Sequence, residues 1–300
     1  MADVPQKTTA TPAPKKPKPA RARPDFATIG GIAVALSGIL GGLLLEKGSL
    51  QDVAQVTAAM IVIGGTLGAV LVTSPLPVFL RACKGLGGAF VERGNSTAAT
   101  IDALIRYATI ARRNGIVSLE KEAAVAEDPF LRKALNLAVD GTDMQDLRKM
   151  LELDISLSEL TGEAEAKVWE AAGGYAPTIG IIGAVMGLIQ VMKNLEDIKA
   201  VGHGIAVAFV ATVYGVASAN IFFLPVANKL RGRTRAAALV KDLMLEGVVG
   251  LVEGLNPTLL RTKLDAYNQD PVKPAKAKAG VAARPAAAGQ PAGRPAPGES

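Results

Sequence analysis

Cysteine, histidine and aromatic side chains are scarce in this 300-residue chain, which has one Cys, one His, one Trp and only 4% Phe, Tyr and Trp combined. Each scarcity excludes something. The single cysteine, Cys83, cannot close an internal disulfide; it is expected to pack as a small hydrophobe. One Cys and one His (His203, expected in a short loop) make no zinc constellation; no cofactor and no enzymatic activity are expected either. The rings are too few for the core of a soluble domain of this length. None is interleaved with basic residues, so the net charge of +6 does not point to nucleic acid; attraction to an anionic membrane surface accounts for it better. The last absence is the most informative. Four stretches, 27–45, 53–80, 171–192 and 204–228, contain no Asp, Glu, Lys, Arg or His.

What fills those stretches is Ala, Gly, Val, Leu and Ile, in blocks of about 20 residues or more, enough for an α-helix to cross roughly 30 Å of hydrocarbon. The chain is therefore expected to be all-α and polytopic, with four transmembrane helices. Proteins that move ions usually keep an ionisable group at membrane depth; if this one does so, another chain must supply it. Basic residues mark the topology. Lys7, Lys15, Lys16, Lys18, Arg21 and Arg23 precede span one, Arg81 and Lys84 follow span two, and Lys229, Arg231, Arg233 and Arg235 follow span four. The two short connections hold only Lys47, Lys193 and Lys199. By the positive-inside rule both termini and the 90-residue segment at 81–170 face the cytoplasm. The first apolar block starts late and is followed by Glu46-Lys47, unlike a cleaved signal peptide.

Six segments follow from this pattern: a basic tail at 1–25, spans one and two at 26–80, a helical cytoplasmic domain at 81–170, spans three and four at 171–228, C-terminal helices at 229–268 and a Pro/Ala-rich tail at 269–300. Both tails bury too little apolar surface to fold and are expected to be disordered. A helix is expected over 97–113, ended by Asn114-Gly115, with Ser118 capping the next one and Glu120 and Glu122 in its first turn. Helix is then expected through 131–169 and on into span three. After span four, 236–255 is amphipathic, and Asn256-Pro257 opens a last short helix. No strand-like alternation is evident.

Helices in lipid pack through small residues. Gly38/Gly42, Gly64/Gly68 and Gly183/Gly187 are each four apart and are candidate contact faces. The polar residues of spans three and four stand out more: Tyr175, Pro177, Thr178 and Gln190, then Thr212, Tyr214, Ser218, Asn220 and Pro225. Each proline frees a carbonyl one turn earlier. Thr178 and Thr212 can offer a hydroxyl to an ion or a partner's carboxyl group, or simply bond their own helix backbone.

The runs GGYAPTIGIIGAVMGLIQVM at 173–192 and GIAVAFVATVYGVASANIFFLPVANKL at 204–230 resemble the MotA/PomA family of flagellar-motor stators, as do ARRNGIVSLE at 111–120 and GLNPTLLRTKL at 254–264. The likeness covers about residues 26–268. It implies a subunit surrounding a single-span MotB/PomB-type partner that grips peptidoglycan and carries the ion-binding Asp. Relatives form pentamers around two partner chains and push on the rotor protein FliG. By position, the resemblance assigns Pro177 and Pro225 to the ion path and its conformational coupling, with Thr212 near the ion-binding carboxylate and Thr178 beside Pro177. It assigns Arg112 and Glu120 to rotor contact. The plainer reading of that pair is a cation at a helix C-terminus and an anion at a helix N-terminus.

Sodium-driven relatives tend to carry a hydroxyl in span three where this chain has Ala184, so the resemblance implies proton coupling. One charge moving through about 100 mV releases roughly 2.3 kcal/mol. The related ExbB/TolQ energisers are the nearest alternative, but three spans and an opposite N-terminus do not fit. A small-solute transporter is a poorer match, without an inverted repeat or intramembrane charge. A purely structural scaffold would tolerate Pro177→Ala and Thr212→Ala.

Overall fold

The computed structural model describes residues 23–92 and 97–267. Its elements are almost wholly helical. The first, α1 (Phe26–Leu45), begins where Asp25 caps it, its carboxylate accepting from the Thr28 N–H at 3.1 Å. A short helix α2 (Leu50–Val53) leads to α3 (Val56–Thr73), which contains a π-helical turn at Met60–Gly64. Ser74-Pro75 then stops the apolar run, and α4 (Leu76–Ala89) starts anew. Span two thus ends at Thr73 and not near residue 80: a residue before proline is pushed into extended backbone, and Ser74 has ψ 134.

The cytoplasmic elements are α5 (Thr97–Asn114), α6 (Glu120–Val125) and α7 (Pro129–Val139). Two long helices organise everything else. The 50-residue α8 (Met144–Lys193) runs without interruption from the expected cytoplasmic segment through span three. The 55-residue α9 (Ile198–Val252) carries span four, a π-helical turn at Ser218–Phe223 and then the amphipathic segment expected as a separate helix. At 1.5 Å per residue they are about 75 and 83 Å long, more than twice the hydrocarbon thickness, so half of each stands outside the membrane. Asp143 and Asp197 cap their N-termini. The connection between them is only Asn194–Asp197, and His203 lies in α9, not in a loop. Asn256 caps the final α10 (Pro257–Asp265) as expected.

Three cores hold these elements. The largest is cytoplasmic: Leu104, Leu119, Leu135, Leu147, Leu151, Leu243, Leu260 and Leu264, all fully buried, join α5–α10. Each buried leucine contributes roughly 1.5–3 kcal/mol relative to exposure. Gly115 (φ 81) turns the chain between α5 and a 3-10 turn at 116–119. Ser118 does not cap α6, because it sits inside that turn and its hydroxyl donates to the Gly115 carbonyl at 2.6 Å. A second core at the membrane's edge gathers Trp169, Phe223, Ala82 and Val226; the Trp169 indole donates to the Ala82 carbonyl at 3.3 Å and stacks on Phe223. A third, within the spans, joins Val62 to Val210 and Ala211. Cys83 is exposed beside the buried Ala82.

The expectation for the tails lies outside the described residues, except at its inner edge. There 23–25 are ordered: Arg23-Pro24 (β1) pairs antiparallel with Val91-Glu92 (β2), and the Asp25 N–H donates to the Phe90 carbonyl at 2.9 Å. Backbone pairing supplies what this segment lacks in apolar surface. This two-residue ladder is the only β pairing among the described residues.

Candidate functional site

Spans three and four meet along a seam of glycines. A Cβ on Gly215 would fall 2.5 Å from the Ala176 carbonyl, one on Gly180 would fall 2.9 Å from the Ala211 carbonyl, and one on Gly187 would fall 2.7 Å from the Gly204 carbonyl. No side chain fits, so the backbones touch. Gly183 also faces Ala211 and Ile61. Of the three candidate glycine pairs, this is the only one at work within the chain; a methyl added at Gly38, Gly42, Gly64 or Gly68 would have nothing within 4 Å of it.

Pro177 and Thr212 lie across this seam from one another. The Pro177 Cα is 3.2 Å from the methyl position of Gly215, and the Thr212 Cα is 3.5 Å from that of Gly180. Pro177 is half-buried, inside α8. The Thr178 hydroxyl donates to the Tyr175 carbonyl at 2.8 Å, and the Thr212 hydroxyl donates to the Ala208 carbonyl at 3.2 Å. Both protons are therefore committed to the helix backbone, while the oxygens keep acceptor lone pairs. Such a hydroxyl can accept a hydrogen bond from a protonated carboxyl group brought alongside. Ala184 is two turns beyond Pro177 on the same side of α8 and is half-buried.

Pro225 sits elsewhere. It is exposed, ten residues past Gly215 and therefore about 15 Å further along α9. It lines a groove of about 350 Å³ between α9 and α1. It lies two residues past the end of the π-helical turn, and its missing N–H removes a further hydrogen bond from the regular pattern there. The structure thus brings Pro177, Thr178 and Thr212 together and leaves Pro225 apart from them.

Arg112 occupies the last turn of α5 and Glu120 the first position of α6. Both are exposed, and among the described residues neither has an ion-pair partner within 4 Å. The buried Leu119 between them anchors the turn to the cytoplasmic core, so the two charges stand on a firm base.

A belt of ion pairs at the membrane's edge is not evident from the basic residues alone. Arg231 grips Glu163 with two nitrogens at 2.9 and 3.0 Å and Glu170 at 2.7 Å. The Arg231 hydrogen bonds hold the Glu163 carboxyl below its ordinary range, against the opposing effect of burial. Lys229 pairs closely with Asp25, and Arg233 lies 3.7 Å from the same carboxylate. The hydrogen bond from Lys229, then that from the Thr28 N–H, lowers Asp25 to about 2. In the sequence Lys229, Arg231 and Arg233 read only as topology markers. Lys229 and Arg233 stand one helical turn apart, and that spacing, with an acidic cap just before span one, is the available signal.

Two family descriptions match the chain: Motility protein A N-terminal over residues 29–115, and the MotA/TolQ/ExbB proton channel family over 122–242. Motility protein A of Helicobacter pylori is 33% identical over 243 residues, covering 81% of this chain and 95% of that protein.

The chain belongs to the MotA/PomA family of flagellar-motor stators.

Chemotaxis protein PomA of Vibrio alginolyticus is 32% identical over the same share of this chain. Among solved structures, the MotAB of C. jejuni is similar with TM-score 0.79 and 30% identity, covering 84% of this chain and 99% of that one. The flagellar MotAB stator complex of Bacillus subtilis has TM-score 0.75, with 80% and 95% covered. A MotA/PomA-family stator is a multi-pass inner-membrane subunit, and the four apolar helices found here fit that architecture.

Proposed function

We propose that this stator subunit works on a proton carried by a second chain: a single-span, peptidoglycan-gripping partner of the MotB/PomB type that supplies an intramembrane Asp. One observation carries this reading. The four spans hold no Asp, Glu, Lys, Arg or His, yet spans three and four present two hydroxyl oxygens with free lone pairs beside a proline within α8. A protonated Asp donates to Thr212 or Thr178 and loses that bond on ionisation. Pro177 gives α8 a weak point at that depth, so the change in bonding is able to bend the helix. That the similar solved structures are two-component MotAB complexes supports the same division of labour.

Both termini and the cytoplasmic core face inward, following the basic residues. The subunits form a ring, a pentamer around two partner chains. Arg112 and Glu120 contact the rotor protein FliG, and Ala184, which offers no second hydroxyl ligand for a hard cation, favours H+ over Na+. Pro225 contributes a second break in α9.

The experiment is motor speed in cells expressing this chain with its partner. Speed is expected to follow the proton gradient at fixed sodium, and Thr212→Ala to lower it. Speed that tracks external sodium at fixed pH overturns the ion assignment. A conducting pathway formed by this chain alone overturns the two-chain reading.

A further inference from the structure

α1 is unlike the other spans. None of its residues is buried, although it is as apolar as they are. It is held at one end, where Asp25 caps it, bonds Phe90 and pairs with Lys229 and Arg233. From that pinned end α1 rises along α9 without closing on it. The space left between them is the groove of about 350 Å³, within the size range of pockets that hold small ligands.

The two ends of this groove differ in chemistry. Its walls at membrane depth are mostly apolar, with Gly31, Ile32 and Ala35 from α1 and Ile221 and Pro225 from α9; a polar side chain there, Asn220, donates its amide to the Val216 carbonyl of its own helix at 2.9 Å. Gly31 has nothing within 4 Å of a methyl position, so the groove is open there. Its mouth is Lys229, the first charged residue after the charge-free 204–228 stretch and hence at the hydrocarbon boundary. Arg233 is one turn further out. One carboxylate, Asp25, faces two cations, so the cluster keeps a positive charge uncompensated. An apolar channel with a net cation at the membrane's edge has the polarity of a phospholipid laid along it.

We propose that this groove binds an anionic phospholipid of the cytoplasmic leaflet, one acyl chain lying between α1 and α9 and the phosphate resting on Lys229 and Arg233. The leaflet rests on the orientation proposed above; the lipid site itself does not depend on the coupling ion or the rotor. A basic pocket between membrane helices is a fitting receptor for such headgroups. The bound chain supplies the packing that α1 lacks within its own subunit.

The test is native mass spectrometry of the intact complex with its partner, purified in detergent and offered phosphatidylglycerol or phosphatidylcholine with the same acyl chains. The wild type is expected to retain phosphatidylglycerol about fivefold better, as one uncompensated charge predicts. Arg233→Gln, which leaves the Asp25–Lys229 pair in place, is expected to bring the two lipids to parity. Gly31→Leu fills the groove and is expected to remove retention of both, with subunit composition read from the same spectra. Equal retention of both lipids by the wild type overturns the proposal. So does phosphatidylglycerol binding by Gly31→Leu at the wild-type level. Efficient cross-linking between copies through Ala35→Cys, in a Cys83→Ala background, overturns it as well, because the groove is then filled by protein. Motor speed enters none of these readouts, so a wrong ion assignment leaves them unchanged.

Discussion

α1 and the span-four part of α9 are built from the same apolar alphabet, yet they meet their surroundings in opposite ways. The α9 segment lies backbone to backbone against α8, with Gly204, Gly215, Val207, Ala208 and Ala211 buried. No residue of α1 is buried, and its own paired glycines face open space. Hydropathy places both helices in the bilayer and says nothing about which one carries the mechanism. In lipid there is no hydrophobic drive to bring helices together, so close packing requires small residues on facing sides. α1 has the small residues but no facing partner within its subunit.

Gly215→Val attacks this contrast most strongly. Its side chain must displace the Ala176 carbonyl and the Pro177 backbone, an overpacking expected to cost about 3 kcal/mol or more; assembled protein recovered from membranes should fall sharply. Arg231→Ala comes next. It leaves Glu163 and Glu170 facing one another without their shared cation, for an expected loss of about 1–2 kcal/mol in thermal or denaturant stability of the complex.

Asp25→Asn tests the single anchor of α1. Hydrogen exchange should rise in 25–35 while the α8–α9 seam stays protected. Because Asp25 titrates lower in the fold than its ordinary 3.8, its contribution is present above that pH and is lost as pH falls toward about 2. The wild type and Asp25→Asn should therefore differ above about pH 4 and converge only as pH falls through about 2. Gly38→Ala should be the mildest change, within about 0.5 kcal/mol. A Gly38→Ala defect as large as that of Gly215→Val would show that α1 has a tight protein neighbour in the assembled complex, and the contrast would collapse.

Much of this is legible from residues alone. Missing charges mark four spans, Asn256-Pro257 marks the opening of α10, and Asn114-Gly115 marks the end of α5, because each of those signals is local. What depends on facing partners is not. Nothing in the spacing of Gly64 and Gly68 distinguishes them from Gly183 and Gly187; only the approach of α9 does. The separation of Pro225 from Pro177 follows from the antiparallel run of two long helices and the π-helical turn between them. Arg231, Lys229 and Arg233 read as topology markers because their acidic partners come from 61 or more residues away.

The uninterrupted α8 also sets a scale for motion. From Pro177 to Met144 it runs 33 residues, about 50 Å of stiff rod, with its far end packed into the cytoplasmic core. A rotation of about 5° at the proline carries that end through about 4 Å. A change small enough to be made by one hydrogen bond in the membrane would thus arrive outside it as a displacement wider than the bond is long.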